Sequence, residues 1–469
     1  MQKTQTSKTQ AFISQFKQDR ALPDLPQRKE AEAALSELEL PTVRSEAWRY
    51  SSLRGLAAMN LKPAVTTTSV DVALYAIQGL DADRIVFVNG KYQESLSDLS
   101  RNGEDVCCIC QLDNLENDGP CMAAFEAHFA ELATAGRNVF TALNNPYAGD
   151  GIVIRVKRNQ QVPHPIHILH INEAASNNYT QVRNLLVIEP GAEIKLIESF
   201  VGEGAAFRNH VNEIIVGDNA GCEWIKLQHE DDAATLIDRT EVKQGDNSRC
   251  SVFTLTFSGN LVRNDFHLHL DGQNTESHVM GLSLLDGNQH VDNFTSIDHR
   301  KANCFSNELY KGIYNDSASG AFRGRIHVFP DAQKTNAYQS NRNILLSDDA
   351  SIDTKPQLEI YKKAKRFHLD TEIEERQKCE AFIAELEQRL TEDKTSPYFI
   401  GKSAGLIDYA LLPFIRQFSR VNRAWFIHSP YPNLRAWLNQ HQQSRVYSKA
   451  MKKLPLWLET GEEYILGED

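Results

Sequence analysis

The sequence predicts a mainly β protein with helical ends, its long middle wound as a β-solenoid. Three observations predict it. Between about Arg84 and Tyr361 short β-rich runs follow one another without a helical period between them. Several share one phrase, an apolar strand, a tight polar turn, a small residue and another strand, as in EPGAE (189–193), GDNAG (217–221) and SDDAS (347–351). Beyond Tyr361 the period changes to that of helices. Repetition of one strand–turn unit suits a solenoid, where each rung buries its apolar side on the next. A β-sandwich is the competing reading of the same runs.

The elements follow in order. Phe12, Ile13 and Phe16 share a helical face, as do Ala31, Ala34, Leu35 and Leu38, with Pro23 and Pro26 between the two segments. LPTVRSEAWRYSSL (40–53) comes next, with Trp48 and Tyr50 as anchors on a core. The strand runs are RIVFVNG (84–90), GIVIRV (151–156), PIHILHI (165–171), NLLVIEPGAEIKLIESF (184–200), NEIIVGDNAGCEWIKLQ (212–228) and NILLSDDASI (343–352). In the tail, Thr371 and Glu374 have capping-box spacing, and Cys379, Phe382, Ile383, Leu386 and Leu390 form one stripe. LIDYALLPFIRQF (406–418) is apolar on nearly every face and predicts a buried helix kinked at Pro413. NLRAWLNQHQQ (433–443) groups Leu434, Trp437 and Leu438.

Composition excludes several classes of function. The 469 residues carry a formal net charge of -12, which argues against general phosphate neutralisation on nucleic acid. No apolar run approaches the roughly 20 residues that span a bilayer. The polar start MQKTQTSKTQAFISQFKQDR has no signal-peptide core, and eight scattered cysteines fit a reducing compartment, so the expected location is cytoplasmic.

The densest stretch lies between Gly287 and Tyr361. It contains DHRKANC (298–304), LYKG (309–312), AQKTNAYQSNRN (332–343) and TKPQLEI (354–360). With LPTVRSEAWRY near the start, these phrases resemble the SufD/SufB family, β-helical scaffolds of iron–sulfur cluster assembly. The resemblance implies a right-handed parallel β-helix, no enzymatic activity of its own, pairing with a SufB-like homologue and work with a SufC-like ATPase. No cofactor is expected to stay bound, although a transient iron–sulfur cluster is implied in the complex. The pairing surface it points to is GRIHVFPDAQKTNAYQSNRN (324–343), with Arg325, His327, Gln333, Lys334, Thr335, Gln339, Asn341, Arg342 and Asn343 as interface residues.

After PQLEI the family continues through a cysteine- and histidine-bearing segment into its own helices, where its ATPase docks. Here YKKAKRFHLDTEIEERQKCEAFIAELEQRL (361–390) follows instead, and the surroundings of His368 disagree with that segment. AFIAELEQRL (381–390), PYFIG (397–401), LIDYALLPFIRQF and YPNLRAWLNQH (431–441) resemble the C-terminal helical domain of glutathione S-transferases. Asp408 matches the acidic member of that family's buried cap, while Gly405 replaces its Ser or Thr partner. The expected layout is an N-terminal helical segment (1–60), a SufD-like β-helix (61–361) and a transferase-like helical domain (362–469), with ATPase docking weakened or lost. The alternative functions are a glutathione S-transferase-like enzyme or thiol-binding protein, or a non-functional fusion of the two parents.

No catalytic arrangement emerges from spacing. Cys107, Cys108 and Cys110 include a C-x-x-C, but VCCIC (106–110) reads more economically as a strand where cysteine serves as a small hydrophobe. His267 and His269 share a strand face, and His290, His299 and Cys304 lie in the fingerprint. Imidazole and thiolate both ligate iron, yet without a tight ligand cluster hydrogen-bonded or interface histidine is the simpler reading. GKS (401–403) lacks the phosphate-loop glycine, since Ser396 stands in its place. KKAKR (362–366) reads as a solvated face or linker.

Overall fold

A computed structural model describes residues 2–17, 26–65, 70–173, 177–353, 372–392, 396–399, 402–444 and 447. The chain divides into two compact units, Met1–Thr354 and Lys355–Asp469. Each is described by itself.

The first unit opens with helices α1 (Gln2–Ser14), α2 (Pro26–Glu37) and α3 (Arg54–Ala58), then the short strand β1 (Lys62–Pro63). Strands β2 (Asp83–Val88), β3 (Lys91–Tyr92) and β4 (Cys107–Gln111) precede helices α4 (Gly119–His128) and α5 (Val139–Tyr147). The strands β5 (Ile152–Val156), β6 (Ile166–Glu173), β7 (Asn178–Ile188), β8 (Glu193–Glu203), β9 (Ala206–Val216) and β10 (Gly221–His229) begin the winding. It continues through β11 (Thr235–Gln244), β12 (Arg249–Ser258), β13 (Leu261–Leu270), β14 (Glu276–Leu285) and β15 (His290–His299). The last turns are β16 (Phe305–Tyr314), β17 (Ser319–Val328), β18 (Asn336–Leu345) and β19 (Ser351–Ile352).

From β5 onward, odd- and even-numbered strands fall into separate sheets, and each strand pairs in parallel with the strand two later. That is a β-solenoid. A sandwich of the kind weighed above would build its sheets from antiparallel neighbours. Parallel in-register stacking places like on like. In the odd sheet Ile154, Leu186, Ile214, Val242, Leu268, Ile297 and Ile326 form one column through the interior. In the even sheet Ile166, Leu196, Trp224, Val252 and Val279 form another. Six of the first column and all five of the second belong to one buried cluster, and burying each such side chain stabilises by about 1.5–3 kcal/mol.

One corner of every rung repeats a backbone device. Asn159, Gly191, Asn219, Asn247, Asn274, Asn303 and Lys334 all have positive φ, between 55° and 75°, at the turn from an odd to an even strand. Asparagine and glycine tolerate this left-handed conformation, which costs other residues roughly 1–2 kcal/mol. The N–H at the corner bonds the next rung's turn, as in Asn219 N to Asp246 O (2.7 Å) and Asn303 N to Gln333 O (2.9 Å). The next residue is small and buried, as at Ala192, Ala220, Ser248, Thr275 and Cys304. EPGAE and GDNAG occupy this corner. SDDAS lies at the opposite corner, between β18 and β19, so the three phrases are two devices rather than one.

Helices interrupt the strand pattern expected from Arg84 onward. Asp118 caps α4 by accepting Cys121 N (2.9 Å), and Asn138 caps α5 by accepting Phe140 N (2.9 Å). Every residue of α5 is buried, which erases the amphipathic period that betrays a helix in sequence. These helices, with α1 and α2, cover the outer face of the odd sheet. Phe12, Phe16, Leu35, Trp48 and Phe140 cluster there with Tyr179, Phe207 and Ile237. Trp48 is an anchor, its ring 4.7 Å from the Arg263 guanidinium, but Tyr50 is exposed. Ser51 is the phrase's second attachment, donating to Asp292 Oδ2 at 2.5 Å.

The second unit is helical among its described residues: α6 (Glu372–Glu392), α7 (Leu406–Val421), α8 (Arg423–His428) and α9 (Pro432–Gln442). Cys379, Ile383, Leu386 and Leu390 of α6 pack on Leu412, Ile415, Phe418, Leu434, Trp437 and Leu438. Helix α7 runs through Pro413 as one element, and Gln417 and Arg420 are exposed, so it is amphipathic rather than buried all round. The Thr371–Glu374 pair, KKAKR and His368 lie outside the described residues or side chains. No described helix is long and apolar enough to cross a membrane.

Candidate interaction surface at the end of the solenoid

The last rung differs from those beneath it. Strand β18 pairs with β16 on one edge, and among the described residues nothing pairs with its other edge. Among the described residues, strand β17 has an outer neighbour only at Ser319 and Gly320, through β19. Asn336 and Leu346 donate their N–H groups down to Cys304 O and Tyr314 O. The N–H groups of the odd-numbered residues between them therefore point away from β16. Tyr338, Val328 and Leu346 are exposed here. The last strand of a sheet is where another strand can add.

The nine residues expected on the pairing surface all fall on this rung or its corner, on four faces of it. Gln339, Asn341 and Asn343 stand in register with the interior positions Glu308, Tyr310 and Gly312, so they ring the mouth of the bore. Gln339 Nε2 donates to Glu308 Oε2 at 2.5 Å, and Asn343 donates to Asn341. A Cβ on Gly324 would overlap the Gln339 amide, so glycine is required where the two strands face each other. Arg325 and His327 lie on the outer face of the odd sheet: Arg325 donates to Ser296 Oγ (2.9 and 3.1 Å), and the His327 ring packs at a tilt against Phe329 (4.1 Å between centroids). Gln333, Lys334 and Thr335 make the corner, with Lys334 at φ 59° where the other rungs use asparagine or glycine. Arg342 is exposed on the outer face of the even sheet. Burial raises the Glu308 carboxyl above its ordinary range at the mouth.

The other histidines are spread out and individually engaged. His267 bonds Asp265 (3.0 Å). His269 bonds Glu241 (2.8 Å) and lies 3.4 Å from Asp298. Burial opposes its charge, but Asp298 and Glu241 outweigh burial and raise it to about 9. His290 contacts Ser51 (3.0 Å) and Ser319 (2.7 Å). His299 bonds Ser306 inside the bore (2.8 Å), and Cys304 holds the small-residue position of its corner. These residues do not converge on a ligand set.

Two groups do converge, and neither was expected. Inside the bore, ligand atoms of His170, Glu198 and His210 lie within 4.8 Å of one another, all buried. Lys226 sits beside them, 3.4 Å from Glu198 and bonded to Asp238, so its single ammonium is shared between the two carboxylates. Outside the bore, Cys108 meets Cys121, Sγ to Sγ, at 3.1 Å. The C-x-x-C itself is split by the strand. Cys107 joins the bore cluster, whereas Cys110 joins the cluster under α4.

Comparison with known proteins matches residues 11–168 to the SufBD protein N-terminal region and residues 170–368 to "SUF system FeS cluster assembly, SufBD core domain". Over residues 11–368 the chain belongs to the SufBD family. An iron–sulfur cluster assembly SufBD family protein of Synechocystis is 29% identical over 347 residues, 71% of this chain and 76% of that one. The iron–sulfur cluster assembly protein SufD of Escherichia coli is 29% identical over 342 residues, 72% and 77% of the two chains. A chloroplastic Arabidopsis protein, ABCI7, is 30% identical over 235 residues, about half of each chain.

The SufBD core match thus spans the corner asparagines from Asn219 to Asn303, most of the bore and the terminal rung. Residues 370–440 match a different family, the glutathione S-transferase C-terminal domain. In that unit Asp408 is fully buried and accepts Gly405 N (2.9 Å), Phe399 N (3.1 Å) and Trp437 Nε1 (2.8 Å). Gly405 has no side chain to return a bond, so the cap is one-sided, as the Gly405 substitution implied.

Proposed function

We propose that this chain is a non-enzymatic, SufD-like scaffold of iron–sulfur cluster assembly that pairs with a SufB-like homologue through the last rung of its solenoid. The observation that supports this most is that β18 is the last strand of its sheet among the described residues, with the nine expected interface residues on its rung or corner. Backbone pairing supplies affinity there, and Arg325, His327, Arg342 and the amides at the bore mouth supply register. Lys334 strengthens the reading. A lysine in a left-handed corner costs stability that asparagine would avoid, and such strain concentrates where a surface serves another molecule.

On this reading the cluster is cargo, handled transiently with the partner in the cytoplasm, and the chain retains none when purified alone. A SufC-like ATPase binds weakly or not at all, because the helices after the solenoid are of the transferase type and specific interfaces do not survive such replacement. Co-purification of the tagged chain with SufB-like and SufC-like proteins tests this. Recovery of the SufB-like protein with little ATPase is the expected result. Recovery of the ATPase alone contradicts it.

A further inference from the structure

We propose that Cys108 and Cys121 form a redox-active dithiol that closes to a disulfide when it meets a low-molecular-weight disulfide such as oxidised glutathione. The two come from different elements. Cys108 is the second residue of β4, and Cys121 lies in the first turn of α4, where Asp118 holds its backbone N–H at 2.9 Å. Their sulfurs are 3.1 Å apart, and Cys121 donates its S–H to Cys108. Strand and helix position them independently, β4 by pairing with β5 and α4 by packing Phe125 and Ala124 on Val153 and Leu185.

The pair is asymmetric in the way exchange chemistry requires. Cys121 is fully buried, while Cys108 is part-exposed, so a small oxidant meets Cys108 first. The S–H from Cys121, with help from Arg155, brings the Cys108 thiol down to about 7 against burial and the nearby Asp118 carboxylate. Donation of that S–H, with burial, pushes Cys121 up. Burial drives the neighbours the other way, Cys107 to about 12 and Cys110 to about 11, so they remain thiols. Reactivity follows the thiolate and its access.

The steps balance. Cys108 thiolate attacks one sulfur of the small disulfide, forming a mixed disulfide and expelling one thiolate. Cys121 then gives its proton to that released thiolate, and its sulfur attacks Cys108 Sγ, expelling the second small thiol as its thiolate, which water protonates. Two protein thiols are oxidised, and one disulfide is reduced to two thiols. The product bolts the first turn of α4 to the edge strand β4.

The test uses the full chain, incubated with oxidised glutathione, then alkylated, digested and mapped by mass spectrometry. The expected result is one linked peptide pair containing Cys108 and Cys121, lost on reduction, with a Tm a few degrees higher in the oxidised protein. In Cys121→Ser the mixed disulfide should instead persist on Cys108. Three results overturn the proposal: linkage of Cys108 to Cys107 or Cys110, no linkage in the folded chain, or one equivalent of zinc held by the thiols that blocks oxidation.

Discussion

Gln339, on the last strand of the even sheet, donates its amide N–H to the buried carboxyl of Glu308 in the rung beneath, at 2.5 Å. Beneath Glu308 the same column turns apolar, through Val279, Val252 and Trp224. The polar pair therefore closes an otherwise hydrophobic stack. Gln339→Leu leaves Glu308 buried without that donor and should cost about 1–3 kcal/mol. Denaturant unfolding of the full chain measures it, and a change below about 0.5 kcal/mol contradicts the pairing.

Lys334 occupies the corner that asparagine or glycine fills in the other rungs. Lys334→Asn should stabilise the first unit by about 1 kcal/mol, since asparagine accepts the left-handed conformation more readily. The same change should weaken association with a SufB-like partner. Stabilisation without any effect on association would place Lys334 outside the interface.

The His269 cluster sets a pH dependence. His269 is raised from 6.5 to about 9 by Asp298 and Glu241, against burial, and it faces Arg300 as well. Its contribution is complete below about pH 6.5 and is lost as pH climbs through about 9. Asp298 is lowered from 3.8 to about 2, chiefly by its bond to His269 and also by Arg300, so its contribution is present above 3.8 and lost as pH falls through about 2. Stability should therefore plateau between roughly pH 4 and 6.5 with losses on both sides, each on the order of 1–3 kcal/mol. His269→Ala should flatten the alkaline loss. An unchanged alkaline limb in that variant would show that another group carries it.

In the second unit, Asp408 alone satisfies Phe399 N, Gly405 N and the Trp437 indole. Asp408→Ala orphans these groups and should cost about 3 kcal/mol or more. Circular dichroism at helical wavelengths, followed through thermal unfolding, reads the loss.

Much of this was legible in sequence, for physical reasons. The period-2 runs and the helical stripes of the tail reflect which faces meet the core, and burial enforces that directly. The corner asparagines were harder. Asn219 was visible inside GDNAG, but Asn247, Asn274 and Asn303 sit in phrases that share only a backbone conformation. Helix α5 was missed because it is buried on every side and shows no polar face. The terminal rung was found through family phrases. That Gln339, Asn341 and Asn343 face the bore while Arg325 and His327 face outward depends on register, which a one-residue slip reverses. The Cys108–Cys121 contact joins a strand to a helix, and no local spacing announces it.

Pairing through the β18 edge is tested most directly by Ala337→Pro. The Ala337 N–H points away from β16, so proline there removes an outward donor while sparing the ladder to β16. The purified full chain and this variant are titrated against a SufB-like protein by calorimetry, with far-UV circular dichroism to confirm the fold. The account predicts tight binding by the wild-type chain and at least a tenfold loss in the folded variant. Equal affinity of the two would contradict it.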